Sequence, residues 1–267
     1  MAPLILIGFA RLSALALSGQ EKRVEEYGIH WNFFFTLVGV TLAGVFVEPI
    51  VAVMEWALCR AGHALGFSSW PHAGNTAMQG WILATIGLCL AGGYQAWLDA
   101  ELRVGSAIAR RQTGYLWMVR DGARHGLTDM NREGVFGSIG YIGAWCIAAG
   151  VARGFMANRP RGQVGWRRVC LGLMGLGAIM AGTGLWVHAG TKGVVGDDAL
   201  DCSADTSWVF SSYCKSVSRR VVNLPFVLWL TGLNLGLLGS LLGVELVLPL
   251  RSQGGSSGGS TGGSRYR

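Results

Sequence analysis

The chain has 267 residues, of which 51% are hydrophobic and 14% are charged, and its formal net charge is +7. A typical soluble domain carries about 25% charged residues, so this composition excludes an ordinary soluble enzyme and favours a polytopic membrane protein. The basic residues lie mainly between apolar runs, and no zinc-finger, basic-helix or RNP pattern is present, so nucleic acid is not an expected partner.

Six apolar runs predict an all-α bundle of about six transmembrane helices. The first run covers residues 2–18 and is interrupted by Arg11, which we expect to face protein or to reach toward an interface. The second run covers residues 31–58. Its Glu48-Pro49 pair predicts either the far end of the helix or a kink within it.

Four further apolar runs, one arginine-rich stretch and a polar tail complete the predicted elements. After the third run, the arginine-rich stretch 107–127 predicts an amphipathic helix at the membrane interface. The Gly/Ser-rich sequence of residues 251–267 predicts a disordered tail. The other predicted spans cover residues 79–98, 134–154, 169–189 and 222–250.

Six cysteines are present, and their spacing does not match a zinc site. Four of them lie within or beside apolar runs and are expected to pack as small residues. Cys202 and Cys214 share one polar loop and would pair only if that loop faces an oxidising compartment. The basic residues are too evenly divided between the two faces to set the orientation, so this disulfide is left open.

The stretch EEYGIHWNFFFTL places polar residues at the start of the second run. If the helix already includes Glu26, that carboxylate and His30 are four residues apart and share one face, where the pair is suited to deprotonate a hydroxyl. Asn32 is then a candidate to stabilise an oxyanion or to orient a substrate. The structural alternative is that Glu26 caps the helix, His30 reaches the interface and Asn32 bonds a neighbouring helix.

Two further polar clusters stand at span entrances. Asn131, Arg132 and Glu133 precede a helix in which Gly134, Gly137, Gly140 and Gly143 recur every third residue, which predicts a smooth face for a helix or a lipid chain. Glu133 suits a helix N-terminus, and Arg132 is a candidate ligand for a phosphate.

The third cluster contains Arg219, Arg220 and Asn223. The two arginines are candidates to bind lipid or nucleotide-like phosphates. An ordinary basic membrane border is the alternative interpretation.

Three strings together resemble the GPI inositol acyltransferase family, known as PIG-W in animals. They are EYGIHWNFFFTL at 26–37, NREGVFGSIGY at 131–141 and SRRVVNLPFVLW at 218–229, and IGFARL at 7–12 also fits. The resemblance implies a multi-pass protein of the endoplasmic reticulum membrane, with acyl-CoA as co-substrate and no bound cofactor or metal. It implies transfer of a fatty acyl group, typically palmitoyl, to the inositol 2-hydroxyl of glucosaminyl-phosphatidylinositol.

The resemblance also suggests which residues form the site. Glu26, His30 and Asn32 are expected to line the active cavity, while the other two clusters are expected to bind the glycolipid or the acyl-CoA. An F-P-R-R-x-A-K-T-E type segment of the family has no counterpart here, so we expect a partial or shortened member. A lipid or small-molecule transporter and a non-catalytic membrane subunit are the alternatives.

Overall fold

The computed structural model describes residues 1–18, 31–67, 74–104, 110–119, 124, 126–157, 162–189 and 222–247. Eight helices and one two-stranded sheet fall within these ranges. The elements are α1 (Ala2–Ser18), α2 (Phe33–Ala64), α3 (Thr76–Asp99), β1 (Glu101–Val104), β2 (Arg110–Thr113), α4 (Gly114–Val119), α5 (Gly126–Met130), α6 (Arg132–Met156), α7 (Gly162–Ala189) and α8 (Leu224–Val247).

Five of these helices are long and apolar enough to cross a membrane, namely α2, α3, α6, α7 and α8. The predicted polytopic helical bundle is therefore confirmed. The apolar helix α1 has 17 residues, or about 25 Å at 1.5 Å per residue, which is slightly less than the thickness of a hydrocarbon core. The limits of the six predicted spans within the membrane, and the disordered tail, stay predictions.

Helices α3 and α6 pack in antiparallel contact through glycines. A Cβ atom added at Gly87 would lie 2.6 Å from the carbonyl oxygen of Gly143, and one added at Gly80 would lie 2.7 Å from that of Gly150. Such distances are too short for any side chain, so the two backbones touch directly, as small residues allow in membrane helix pairs. The predicted close neighbour of the α6 glycine face is confirmed at Gly143.

Helices α7 and α8 form a second antiparallel pair of the same type. Near the middle, a Cβ at Gly177 would lie 2.6 Å from the carbonyl oxygen of Gly232, and toward the end of α7 one at Gly184 would lie 2.8 Å from that of Pro225. The largest core cluster joins the two pairs, because Ile147 and Val151 of α6 share it with apolar residues of α7 and α8.

Helix α2 runs parallel to α6, with Gly44 against the Trp145 ring and Glu48 paired with Arg153. It continues through Pro49 to Ala64, so Glu48-Pro49 does not mark the far end of the helix. Packing explains the continuation, because Gly44 contacts α6 before the proline and the buried Val51 packs with α3 and α6 residues after it. These contacts compensate for the hydrogen bond that a proline removes.

Strands β1 and β2 pair in an antiparallel arrangement, and β2 occupies part of the stretch predicted as an interfacial helix. Gly114 follows β2: its N–H donates to the carbonyl of Ala100, and a Cβ on it would lie 2.5 Å from the carbonyl oxygen of Trp97. This contact returns the chain to the end of α3. In the described part of 107–127, helix occurs in α4 and at the first residues of α5, while 110–113 is a strand, so the prediction of one helix through 107–127 is wrong.

One end of the bundle collects the sequence motifs. Since α2 and α6 are parallel and α3 is antiparallel to α6, the N-termini of α2 and α6 lie at the same end as the C-terminus of α3. The N-terminus of α8 joins them, because the N–H of Leu224 donates to Oε1 of Gln95 near the end of α3. We call this end, marked by Asn32, Gln95, Glu133 and Asn223, the polar end.

Candidate functional site

The centre of the polar end is a buried ionic cluster at the start of α6. The Glu133 side chain is 0% exposed and receives two hydrogen bonds from Arg124, with each N–O distance 2.8 Å. Nε of Arg132 lies 3.7 Å from the same carboxylate, while its NH1 donates to Asp129 at 2.8 Å. Two positive and two negative charges therefore balance within the cluster, as a buried arrangement requires.

Aromatic rings and backbone groups complete the enclosure of Arg132. Its Nε donates to the carbonyl of Met118 at 3.2 Å, and its guanidinium lies 5.6 Å from the centroid of the Trp117 ring. Trp97 stacks on Phe136 with a centroid distance of 5.1 Å, and Trp117 contacts Phe136 edge-on. The residue is only 1% exposed, so the described contacts hold it inside the fold.

Asn131 connects α5 to α6. Its Nδ2 group donates to the carbonyl of Leu127 at 2.8 Å, and its own carbonyl accepts from the N–H of Val135. The side chain does not cap α6 in the usual way, although the residue occupies the N-cap position. Asn131 is 7% exposed and fixes the turn that delivers Arg132 and Glu133 to the cluster.

Asn223 links α8 to the polar end. The residue is 0% exposed, and its Oδ1 accepts from the N–H of Phe226 at 3.2 Å, which caps the helix. Gln95 holds the next residue, because its Oε1 accepts from Leu224 while its Nε2 donates to both carboxylate oxygens of Asp99. A glutamine inside an apolar span thus joins α3 to α8.

Val222, directly before Asn223, adopts a left-handed backbone with φ of +51°. Its carbonyl and side chain press on α6, where a Cβ added at Gly140 would overlap the carbonyl oxygen and lie 2.8 Å from Cγ1. A Cβ at Gly137 would meet only Cγ2, at 3.3 Å. The second and third motif strings therefore touch through this contact.

Asn32 begins α2 at the polar end. Its Oδ1 accepts from the N–H groups of Phe34 at 3.0 Å and Phe35 at 3.3 Å, and its Nδ2 donates to the carbonyl of Gly8 at 2.9 Å. The side chain is therefore both a helix cap and a tether to α1. The structural alternative proposed the bond to a neighbouring helix but gave the cap to Glu26. The suggested catalytic role of Asn32 stays a prediction.

The structure brings the predicted site residues together only in part. Asn32, Asn131, Arg132, Glu133 and Asn223 all lie at the polar end. Arg132 is enclosed by Asp129, Glu133 and the carbonyl of Met118, and its suggested binding of a phosphate stays a prediction. The other predicted site residues lie outside the described part of the chain, namely Glu26, His30, Arg219 and Arg220, as do Cys202 and Cys214.

Sequence reasoning missed several polar residues that shape the bundle. Gln95 and Arg124 belong to the polar end. The available signal for Gln95 was a glutamine inside an apolar run, and that for Arg124 was a basic residue nine positions before Glu133. Glu55, at the opposite end, is 3% exposed and accepts from the N–H groups of Gly74 and Asn75 and from Nε2 of Gln79. It binds the backbone directly before α3, whose N-cap is Asn75, and a carboxylate there also complements the helix dipole.

Glu48 and Arg153 form an ion pair between α2 and α6 within the spanning segments. One oxygen of Glu48 accepts from NH1 of Arg153 at 2.8 Å, and the second accepts from NH2. The fork geometry satisfies both oxygens of the carboxylate, which is the arrangement that a charge within a membrane requires.

No group of three metal-ligating side chains occurs within the described ranges. A groove of about 380 Å³ lies between the start of α7 and the end of α8, lined by Gln163, Arg167, Cys170, Leu171, Met174, Gly243, Leu246 and Val247. It is at the opposite end from the three motifs and contains none of the predicted site residues.

The motif strings can now be compared with known proteins. The sequence model of the family described as GWT1 matches residues 1–262. The chain belongs to the GWT1 family. It is 26% identical over 248 residues to the human protein named glucosaminyl-phosphatidylinositol-acyltransferase PIGW, covering 92% of this chain and 37% of that relative.

Fungal relatives give a similar result. The chain is 28% identical over 239 residues to the GPI-anchored wall transfer protein 1 of Gibberella zeae, covering 87% of this chain and 36% of the relative. It is 24% identical over 261 residues to the protein of the same name from Yarrowia lipolytica, covering 94% and 42%. The GWT1-family chain thus spans well under half the length of these relatives. No solved structure matches it significantly.

Proposed function

We propose that this GWT1-family chain carries out acyl transfer in GPI-anchor biosynthesis, in the endoplasmic reticulum membrane. The reaction moves a palmitoyl group from its CoA thioester to the inositol 2-hydroxyl of glucosaminyl-phosphatidylinositol. Family membership supports the reaction class, and the human relative is named for an acyltransferase acting on glucosaminyl-phosphatidylinositol. One structural observation supports the polar end as the position of the active site: the described parts of all three motif strings lie there.

The chemistry requires a base, a hydrogen-bond donor to the oxyanion, and a site that lipid substrates can reach from the membrane. The hydroxyl oxygen attacks the thioester carbon, the C–S bond breaks, and the hydroxyl proton passes through the base to the departing CoA thiolate. We assign the base to His30, oriented by Glu26. We assign Asn32 as the hydrogen-bond donor to the oxyanion, because its Nδ2 group has a second hydrogen beyond the one donated to the carbonyl of Gly8.

The buried cluster of α6 supports this site without touching the reacting atoms. Arg124, Asp129, Arg132 and Glu133 neutralise one another, so they fix the start of α6 and the turn that precedes it. Rigid support of this kind keeps reacting groups within the small tolerance that catalysis demands. The phosphates of acyl-CoA or of the glycolipid are assigned to Arg219 and Arg220, which directly precede α8 in the sequence.

The test is acyl transfer by the purified chain in lipid nanodiscs, using labelled palmitoyl-CoA and glucosaminyl-phosphatidylinositol, with the human relative as positive control. We expect His30→Ala to lower kcat by about 100-fold or more, as loss of a general base does. The matched control is His63→Ala, because His63 lies in the last turn of α2 at the opposite end.

Three results would count against the proposal. If the wild-type chain transfers no acyl group while the human relative does, the chain alone is not the enzyme. Movement of the glycolipid across the bilayer without acylation would favour the transporter alternative. If His30→Ala and His63→Ala lower activity equally, His30 is not the base.

A further inference from the structure

The groove between the start of α7 and the end of α8 lies where these two helices separate. On its inner side the helices touch, because a Cβ added at Gly239 would lie 3.0 Å from the carbonyl oxygen of Cys170. About one turn further along α8, a Cβ added at Gly243 would meet no atom of the described chain within 4 Å. The two backbones therefore diverge after Gly239 and leave a space of about 380 Å³ beside Gly243.

The wall of this groove is apolar along most of its length. Leu171 and Met174 line it from α7, and Leu246 and Val247 line it from α8. The α7 side begins at Gln163 and reaches Met174, which is about 16 Å at 1.5 Å per residue. Leu171 is 68% exposed and Val247 is 78% exposed, so the groove opens to the surroundings of the bundle, which in a membrane are acyl chains.

Arg167 adds a positive charge to one part of the lining. It lies in the second turn of α7, one turn after Gln163, and the ion pairs found among the described residues all use other arginines. Residues 134–196 contain no Asp or Glu. The nearby Glu245 is about 200° around α8 from Gly243, so it points away from the groove. A membrane-border arginine without a carboxylate partner attracts a phosphate.

We propose that this groove binds one anionic phospholipid. An acyl chain lies along the apolar wall, and the headgroup phosphate accepts hydrogen bonds from Arg167, with Gln163 as a second donor. Concavity and the cation distinguish this site from the ordinary lipid-facing surface of a span, since basic pockets between membrane helices select anionic headgroups. The groove is at the opposite end from the three motif strings, so the inference is independent of the proposed acyl transfer.

Native mass spectrometry of the full chain in detergent micelles measures this binding directly. The chain is titrated with phosphatidylserine and, in parallel, with phosphatidylcholine that carries the same acyl chains. We expect phosphatidylserine to bind at least about fivefold more tightly, which corresponds to about 1 kcal/mol, the contribution of one basic residue to binding an anionic lipid surface. Equal affinities for the two lipids would overturn the proposal.

Two neighbouring arginines provide a matched pair of variants. Arg168 is exposed at the same border as Arg167 but does not line the groove. Arg167→Gln should reduce the preference for phosphatidylserine to less than about twofold, whereas Arg168→Gln should retain the wild-type preference within about twofold. An equal loss in both variants would show only a general basic border and would refute the site.

Two glycines of α8 test the apolar wall in the same way. A Cβ at Gly243 or at Gly236 meets no atom within 4 Å, but only Gly243 lines the groove. Gly243→Leu should lower the affinity for phosphatidylserine at least about fivefold, and Gly236→Leu should change it by less than about twofold. Unchanged binding in Gly243→Leu would contradict the proposal. If thermal unfolding shows that Gly243→Leu does not fold, the two arginine variants decide the matter.

The same spectra would identify a different occupant of the groove. A dimer that Gly243→Leu dissociates would show that a second copy of the chain fills it. Binding of phosphatidylserine only after removal of residues 251–267 would show that the chain's own tail fills it. Displacement of the lipid by soluble glycerol phosphate would assign the site to a free phosphate. Each of these three results would overturn the assignment to a phospholipid.

Discussion

Replacing Glu133 by Gln tests the buried cluster of the polar end. The substitution keeps the shape of the side chain, removes its charge and leaves Arg124 facing an uncharged carboxamide. Because the Glu133 side chain is 0% exposed and that of Arg124 only 10%, water replaces little of the lost interaction. Breaking a buried ion pair costs about 3–5 kcal/mol. We expect the lower part of this range, since Arg132 keeps its bond to Asp129.

The assay is thermal unfolding in detergent micelles, followed by the loss of helical circular dichroism. For a chain of this size, about 3 kcal/mol lowers Tm by roughly 6–12 °C. The matched control is Glu245→Gln, because Glu245 is exposed near the end of α8 and should move Tm by no more than about 2 °C.

A double-mutant cycle completes the test. Arg124→Gln combined with Glu133→Gln removes both charges, so the double variant should be more stable than the sum of the two single losses predicts, by about 2–3 kcal/mol. The reasoning is refuted if the two losses simply add. A Tm for Glu133→Gln within 2 °C of the Glu245→Gln control refutes it as well.

Three further predictions concern the helix contacts. Gly87→Ala should destabilise the bundle by about 1–3 kcal/mol, whereas Gly93→Ala, where an added Cβ meets no atom within 4 Å, should be neutral or slightly stabilising in the same unfolding assay. Glu55→Gln should speed amide hydrogen exchange at Gly74 and Asn75, directly before α3, at least about tenfold, because one of the carboxylate acceptors becomes a donor. Unchanged exchange at these two amides would exclude this role of Glu55. Asn32→Asp should keep the cap of α2 but lose the hydrogen bond to the carbonyl of Gly8, so we expect faster proteolysis between α1 and α2. Full retention of acyl transfer in this variant would show that Asn32 is not the hydrogen-bond donor to the oxyanion.

Much of the fold could be predicted from local sequence. Long apolar runs must form helices in a membrane because no water is present to satisfy the backbone, and the five spanning-capable helices follow the predicted runs. Helix ends were less predictable. Asn32 and Asn75 set the starts of α2 and α3 through side-chain caps, while Pro49 failed to stop α2 because contacts with distant helices compensate for its missing hydrogen bond.

The candidate site was only partly predictable for a related reason. The motif residues Asn131 to Glu133 and Asn223 were selected from the sequence and lie together at the polar end, and their roles stay predictions. The partners of a buried charge are not encoded by its neighbours in sequence. Gln95 acts on Leu224, which is 129 positions away, and neither residue signals the other. Likewise β1 and β2 pair beside a close contact between Gly114 and Trp97, which the local sequence did not indicate.

The sequence by itself determined that this is a helical membrane protein with polar groups at particular span entrances. Hydropathy and glycine spacing indicate this because each is a local pattern that can be recognised within a few turns of a single helix. Only the tertiary structure decided that the described parts of the three motifs meet at one end, that Arg132 and Glu133 are enclosed by opposite charges, and that Val222 is held in a left-handed conformation against Gly140. Those outcomes depend on which backbones approach one another, and the close contacts between helices set that approach.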